Sequence, residues 1–188
     1  MKPGFADPVF GAQEGFSALM NAVARPGRIQ ACAVLHDLPP GLEPAAAAAL
    51  LTLADAETPL WTDAEAAARD WIAFHTGAPF VAVAQAQFLL ATRVMPALPT
   101  LNQGSDEMPQ DSATLILQLP HLDDATGWRL TGPGIEHEHR LAAHGLPADF
   151  TAQWAANHAQ FPRGVDLILC AGTRLAALPR TTRIAEHG

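Results

Sequence analysis

LTGPGIEHEHRLAAHGLPADFTAQWAANHAQFPRGVDLILCAGTRLAALPRTTR, residues 130–183, decides the fold class. A strand-like run, Trp128–Thr131, leads into it and breaks at Gly132-Pro133-Gly134. Glycine and proline supply the backbone angles of a tight turn at that point. The spacing of Phe150, Trp154, Asn157/His158 and Phe161 predicts a helix from about Pro147 to Phe161. A nearly all-apolar run, Val165–Ala171, follows and leads to the tail Pro179-Arg180-Thr181-Thr182-Arg183. Strand, glycine turn, helix and buried strand in succession is the grammar of an α/β domain.

The rest of the chain agrees with that class. A first helix is expected from about Gly11 to Ala24, with Ala12, Phe16, Leu19, Met20 and Val23 on one face. It ends because Arg25 precedes Pro26, and Gly27 permits a sharp turn. Arg28–Leu35 alternates as a strand does. Pro44 opens an alanine-rich second helix to about Leu53, which Pro59 follows. Thr62 and Glu65 fit a capping box at the start of a third helix. Ala64, Ala68, Trp71, Ile72 and His75 share one of its faces, and Gly77 and Pro79 end it. Phe80–Val83, Phe88–Val94 and Ala113–Leu119 read as strands, with a polar, proline-rich connection over Pro96–Gln110. Val165–Ala171 is expected to close the sheet. No repeat or linker divides the chain, so residues 1–188 are expected to form a single domain: a mixed, partly parallel sheet flanked by helices.

Composition narrows the function. The chain has 188 residues, 49% of them hydrophobic, and a net charge of −8. That length supports one sizeable core. An acidic chain without a basic block has no electrostatic footprint for a nucleic-acid duplex or an anionic membrane. The apolar run Ala45–Leu53 is too short to span a bilayer. MKPGFADPVF has neither an apolar core nor a small-residue cleavage site, so no signal peptide is expected. Cys32 and Cys170 sit far apart inside apolar runs and read as buried thiols in a reducing, cytoplasmic compartment. Lys2 is the only lysine. A Schiff-base lysine or a P-loop lysine inside the fold is therefore excluded.

Each candidate site has a structural reading beside the functional one. Gly132-Pro133-Gly134 resembles the start of a dinucleotide fingerprint, but His137 stands where the third glycine belongs. His137, His139 and His144, with Glu136 and Glu138, are metal-ligand types at a spacing that matches no zinc pattern, and alternating polar residues of this kind suit a loop. No metal is expected. His75 is either an acid/base group or a helix C-terminal partner of the last carbonyls. Arg25, Arg163, Arg174, Arg180 and Arg183 carry guanidinium forks that suit phosphate or phosphonate oxygens. The same forks suit carboxylates within the fold or across an interface, and without lysine companions or a glycine cradle that reading has more support. No nucleophile–base pair is legible, so no catalytic residue is assigned.

Several strings together resemble one family. They are AVARPG (Ala22–Gly27), LLTLADAETPLW (Leu50–Trp61), WIAFHTGAP (Trp71–Pro79), DSATLIL (Asp111–Leu117), LTGPGI (Leu130–Ile135) and FPRGVDLILCAGTRLAALPRTTR (Phe161–Arg183). Their identity and order resemble the H subunit of the bacterial carbon–phosphorus lyase system, the PhnH family. The chain departs from the family's pattern at Ala24 and Arg163. The resemblance implies a subunit of a core complex with the G, I and J subunits. With an ATP-binding L subunit, that assembly makes a ribose 1-phosphonate 5-triphosphate from ATP and an alkylphosphonate. The radical iron–sulfur J subunit later cleaves the carbon–phosphorus bond. It also implies a fold like the large domain of pyridoxal-phosphate transferases without the cofactor, and a homodimer in isolation. Two roles follow: a non-catalytic scaffold, or a subunit that binds a phosphonate or nucleotide anion directly. An independent small-molecule transferase is a weaker third. A ligand site would converge the arginines and His75 in one cleft; an interface would centre on an apolar patch.

Overall fold

The computed structural model describes residues 4–32 and 35–185. Its helices are α1 (Pro8–Ala24), α2 (Pro44–Leu53), α3 (Ala66–Thr76) and α4 (Phe150–His158). Its strands are β1 (Gln30–Ala31), β2 (Leu60–Thr62), β3 (Phe88–Ala91), β4 (Thr114–Gln118), β5 (His121–Thr131), β6 (His139–His144), β7 (Asp166–Ala171), β8 (Arg174–Leu178) and β9 (Arg183–Ala185). The larger sheet has the order β1-β8-β7-β4-β3-β2. β2, β3, β4 and β7 are parallel. β8 is antiparallel to both β7 and β1, so it alone runs against the rest. A second, antiparallel sheet has the order β6-β5-β9.

The mixed, mostly parallel sheet matches the expected class, and its details depart from it. β7 lies inside the sheet and does not close it, because Gly172 and Thr173 turn the chain into a tight hairpin and β8 pairs along its other edge. Gly172 takes φ +58 there, an angle that glycine adopts freely. β5 is much longer than Trp128–Thr131, and the histidine-bearing stretch expected as a loop is strand β6. Only Leu122 and Leu130 of β5 are fully buried, so its apolar signal is faint. Thr62 ends β2 and does not cap α3. Its hydroxyl accepts from the Ala64 N–H, and the helix begins only after Glu65, which makes no side-chain cap. α1 starts earlier than expected because Asp7 accepts from the N–H groups of Val9 and Phe10, with Pro8 in the first turn. α4 is shorter than expected at both ends. Within Phe80–Val83, Phe80 makes only an isolated bridge to Leu60, and a 3-10 turn covers Val83–Gln85. Of the strand expected over Arg28–Leu35, Gln30–Ala31 is formed, and Ala33 and Val34 lie outside the described residues. Gly77, at φ +68, ends α3 as expected.

Strand residues alternate between two cores. Leu90, Ile116, Ile168, Cys170, Leu175 and Ala177 face α1, α2 and α3. Leu89, Leu115, Leu117, Leu167, Leu169 and Leu178 face α4 and the smaller sheet. The molecule is thus three layers with the six-stranded sheet in the middle. Ala45–Leu50 of α2 are completely buried, and their small side chains let α1 cross closely at Gly15, Ala48 and Thr52. Cys32 and Cys170 are both buried. Burial pushes the Cys170 thiol well up, and the nearby Cys32 and Glu43 add to the shift.

Candidate functional site

The arginines and His75 do not converge in one cleft. Arg180 is a structural hub. Its Nη2 and Nε donate to Asp166 at 2.6 and 3.2 Å, and its backbone N–H donates to the same carboxylate at 2.7 Å. Its Nη1 donates to the carbonyls of Pro109 and Pro162 at 2.8 and 3.3 Å. The guanidinium therefore joins the start of β7, the end of β8 and two loops, and its charge is balanced. Arg163 pairs with Asp106 at 3.2 Å. Arg174 donates to the Leu122 carbonyl at 3.1 Å. Arg25 is exposed at the end of α1. His75 lies on α3 with its ring centroid 4.5 Å from Trp71 and 5.1 Å from Phe74. Arg183 donates from Nε to His158 Nε2 at 3.2 Å.

Gly132-Pro133-Gly134 is a packing turn. Gly134 has φ +82, and a Cβ there would stand 2.3 Å from the Ala24 carbonyl oxygen. The turn is thereby pressed onto the Ala24–Gly27 bend at the end of α1. Gly134→Ala is expected to cost about 2–4 kcal/mol, from backbone strain and the clash together. Gly41→Ala is the control, since Gly41 has φ +79 and nothing within 4 Å of its added Cβ. It should cost only about 1 kcal/mol. Equal melting midpoints for the two variants would contradict the packing role.

The histidines expected as metal-ligand types are dispersed. His137 is fully exposed beside Glu136. His139 Nδ1 meets the Pro26 carbonyl at 2.7 Å. His144 sits at the far end of β6, its ring 5.5 Å from that of His121. Among the described residues, no three His, Cys, Asp or Glu side chains are arranged to hold a metal ion.

The carboxyl ends of the parallel strands, where open α/β sheets bind ligands, are stapled by the protein's own groups. Asp63, just after β2, accepts from the N–H groups of Thr92, Arg93 and Val94 and from the Thr92 hydroxyl, at 2.6–3.1 Å. Gln118, at the end of β4, accepts from the Glu43 N–H and donates to the Gly41 carbonyl. Glu43 accepts from the Gly172 N–H at 2.7 Å. Partial burial pushes the Asp63 carboxyl up, but its donors outweigh this and hold it below the ordinary value. A lowered folded pKa stabilises the protein above the unfolded value of about 4, and the contribution is lost as pH falls through the folded value. Asp63→Asn is therefore expected to lower the urea midpoint most at neutral pH, with the gap to wild type narrowing in acid. A gap independent of pH would refute this.

A mostly apolar groove lies at the opposite ends of the strands. Phe16, Leu19, Met20 and Val23 of α1 line a groove with Leu53, Phe88, Leu167, Ile168, Ala177 and Pro179. The groove runs between α1 and the edge of the sheet core, where Leu167, Ile168 and Ala177 are themselves buried. The face of α1 read from periodicity is divided. Leu19 is buried with Gly15, Ala18 and Ala22, whereas Phe16, Met20 and Val23 are 53, 53 and 48% exposed. Val9 and Phe10 extend the exposed apolar surface. Glu14 is the only charged residue in the seventeen of α1. A helix apolar on its outer as well as its inner side was the available sequence signal for a second partner.

The comparisons agree with this picture of a subunit. Residues 3–185 match the family profile described as bacterial phosphonate metabolism protein (PhnH). The chain is 39% identical over 189 residues to the alpha-D-ribose 1-methylphosphonate 5-triphosphate synthase subunit PhnH of Rhizobium meliloti (strain 1021), covering 97% of this chain and 94% of that protein. It is 37% identical over 178 residues to HtxG of Stutzerimonas stutzeri, named as a proposed C–P lyase subunit protein, covering 94% and 87%. The chain belongs to the PhnH family of bacterial phosphonate metabolism proteins.

Proposed function

We propose that this chain is a non-catalytic subunit of the assembly that forms ribose 1-phosphonate 5-triphosphate from ATP and an alkylphosphonate, and that it docks through the α1 groove. The observation that carries this is the exposed apolar stripe Phe16, Met20 and Val23 of α1 beside an apolar groove at the sheet's edge. A stripe of that kind on a helix with one charge is unfavourable in water and suits the core of a permanent interface. Its occupant is the apolar face of another subunit, with the G, I and J subunits as the candidates. The scattered arginines and the self-stapled strand ends support a scaffold over a catalyst.

For the chain without its partners we propose a homodimer, and for the cell a cytoplasmic location. The burial of both cysteines inside the apolar core supports the latter, and no helix among the described residues is long and apolar enough to cross a membrane. We also infer a likeness to the large domain of pyridoxal-phosphate transferases, supported by the large, mostly parallel mixed sheet. Lys2, the only lysine, lies outside the described residues. Among the described residues there is no lysine on which an internal aldimine could form.

Co-expression with the G, I and J subunits, followed by size-exclusion chromatography with mass detection, tests the docking role. Stoichiometric co-elution is expected. A free homodimer that ignores the other subunits would overturn it.

A further inference from the structure

We infer that Arg183, held by His158 beside the Gly132-Pro133 turn, is the anchor of a binding site for a small phosphonate or phosphate monoester. The pocket is lined by Thr131, Gly132, Pro133, His158, Phe161, Thr181 and Arg183. It is separate from the α1 groove, so the inference goes beyond the docking role and does not depend on it.

The hydrogen bonds around His158 carry the argument. A carbonyl oxygen only accepts, so the 2.9 Å contact from His158 Nδ1 to the Arg180 carbonyl fixes the proton on Nδ1. His158 Nε2 is then the acceptor for Arg183 Nε–H at 3.2 Å. The imidazole is neutral in this arrangement. It orients the guanidinium without cancelling its charge, and His158 is thus a positioning residue. Three positions earlier in the chain, Arg180 is held by a carboxylate instead, and Arg163 likewise pairs with Asp106. Among the described residues no carboxylate lies in ion-pair range of Arg183. Among the described residues its two terminal nitrogens make no ion pair or hydrogen bond, and the side chain lines the pocket.

The surroundings select the ligand class. A guanidinium offers parallel donors to two oxygens of one anion, the geometry of phosphonate and phosphate. The hydroxyls of Thr131 and Thr181 add polar groups to the lining. Pro133 and the exposed ring of Phe161 form apolar walls. A tetrahedral dianion on a short carbon stem matches this mixture.

The test titrates the full chain with methylphosphonate, methyl phosphate or acetate at constant ionic strength, which removes nonspecific charge effects. The readout is the amide NMR spectrum, including the Trp154 indole N–H, which donates to the carbonyl of Thr182 beside Arg183. Saturable shifts at Thr131–Gly134 and Thr181–Arg183 are expected with methylphosphonate and methyl phosphate. The tighter of these two shows whether the site favours a phosphonate or a phosphate monoester. Arg183→Gln should weaken binding about tenfold or more, as loss of a charge-assisted contact does. His158→Asp should weaken it similarly with the fold intact, because a carboxylate would neutralise Arg183, and His158→Asn, a neutral acceptor, should retain binding. Absence of saturable shifts in the wild-type chain would overturn the inference. So would equal binding by Arg183→Gln, or acetate binding as tightly as the tetrahedral anions.

Discussion

Met20→Glu is expected to remove this chain from its assembly while leaving its fold unchanged. Met20 is half-exposed, and a surface substitution of that kind shifts stability by only about 0.5 kcal/mol. In the docked state the same side chain lies at the centre of the apolar stripe, between Phe16 and Val23. A carboxylate there would be desolvated without a partner. Central interface positions cost about 2 kcal/mol or more when disrupted, which is a loss of at least about thirtyfold in affinity. Phe16→Glu should behave in the same way. Val94→Glu is the control, because Val94 is 71% exposed but follows β3 at the other end of the sheet. Size-exclusion chromatography of the co-expressed subunits should show Val94→Glu in the complex and Met20→Glu outside it. Stoichiometric co-elution of Met20→Glu would remove the groove from consideration as the docking face.

The two variants also separate a fold signal from a function signal in α1. Periodicity placed Phe16, Leu19, Met20 and Val23 on one helical face, and they are on one face. It gave no means of telling that Leu19 meets the sheet while the other three meet solvent, because both sides of the stripe are apolar. The buried strands β4 and β7 were legible as continuous apolar runs, since strands covered on both faces need no polar alternation. β5 and β6 were not, because their pairing leaves most side chains half-exposed and their polar residues look like those of a loop. Asp63 was equally invisible. Nothing near it in sequence foretells the bend at Thr92–Val94 whose N–H groups it accepts from. His158 was placed on the correct helix, but its role depends on Arg180 and Arg183, brought beside it by the β7–β8 hairpin. Contacts made by chain reversal are set by tertiary packing, and a residue's neighbours in sequence do not encode them.

Arg180 is the opposite case, a residue whose type suggests a ligand and whose surroundings make it structural. Arg180→Ala is expected to destabilise the chain by about 2–4 kcal/mol, because it strips a charged partner from Asp166 and donors from two carbonyls. The pair is mostly shielded, with side chains 15 and 32% exposed, so the effect exceeds that of a surface ion pair. For a chain of this length the melting temperature should fall by roughly 5–15 °C. Arg180→Lys should recover only part of this, since an ammonium cannot reach the carboxylate fork and both carbonyls at once. Asp166 would still accept the Arg180 backbone N–H at 2.7 Å, which limits the loss. Asp166 also borders the α1 groove. A loosened β7 start would therefore weaken docking as a consequence of weakened fold, and the two losses should track each other across Arg180 variants. The assembled complex should keep its turnover per bound subunit. A variant that assembles at full stoichiometry and normal melting temperature yet loses turnover would make Arg180 a participant in the chemistry, and would end the reading of this chain as a scaffold.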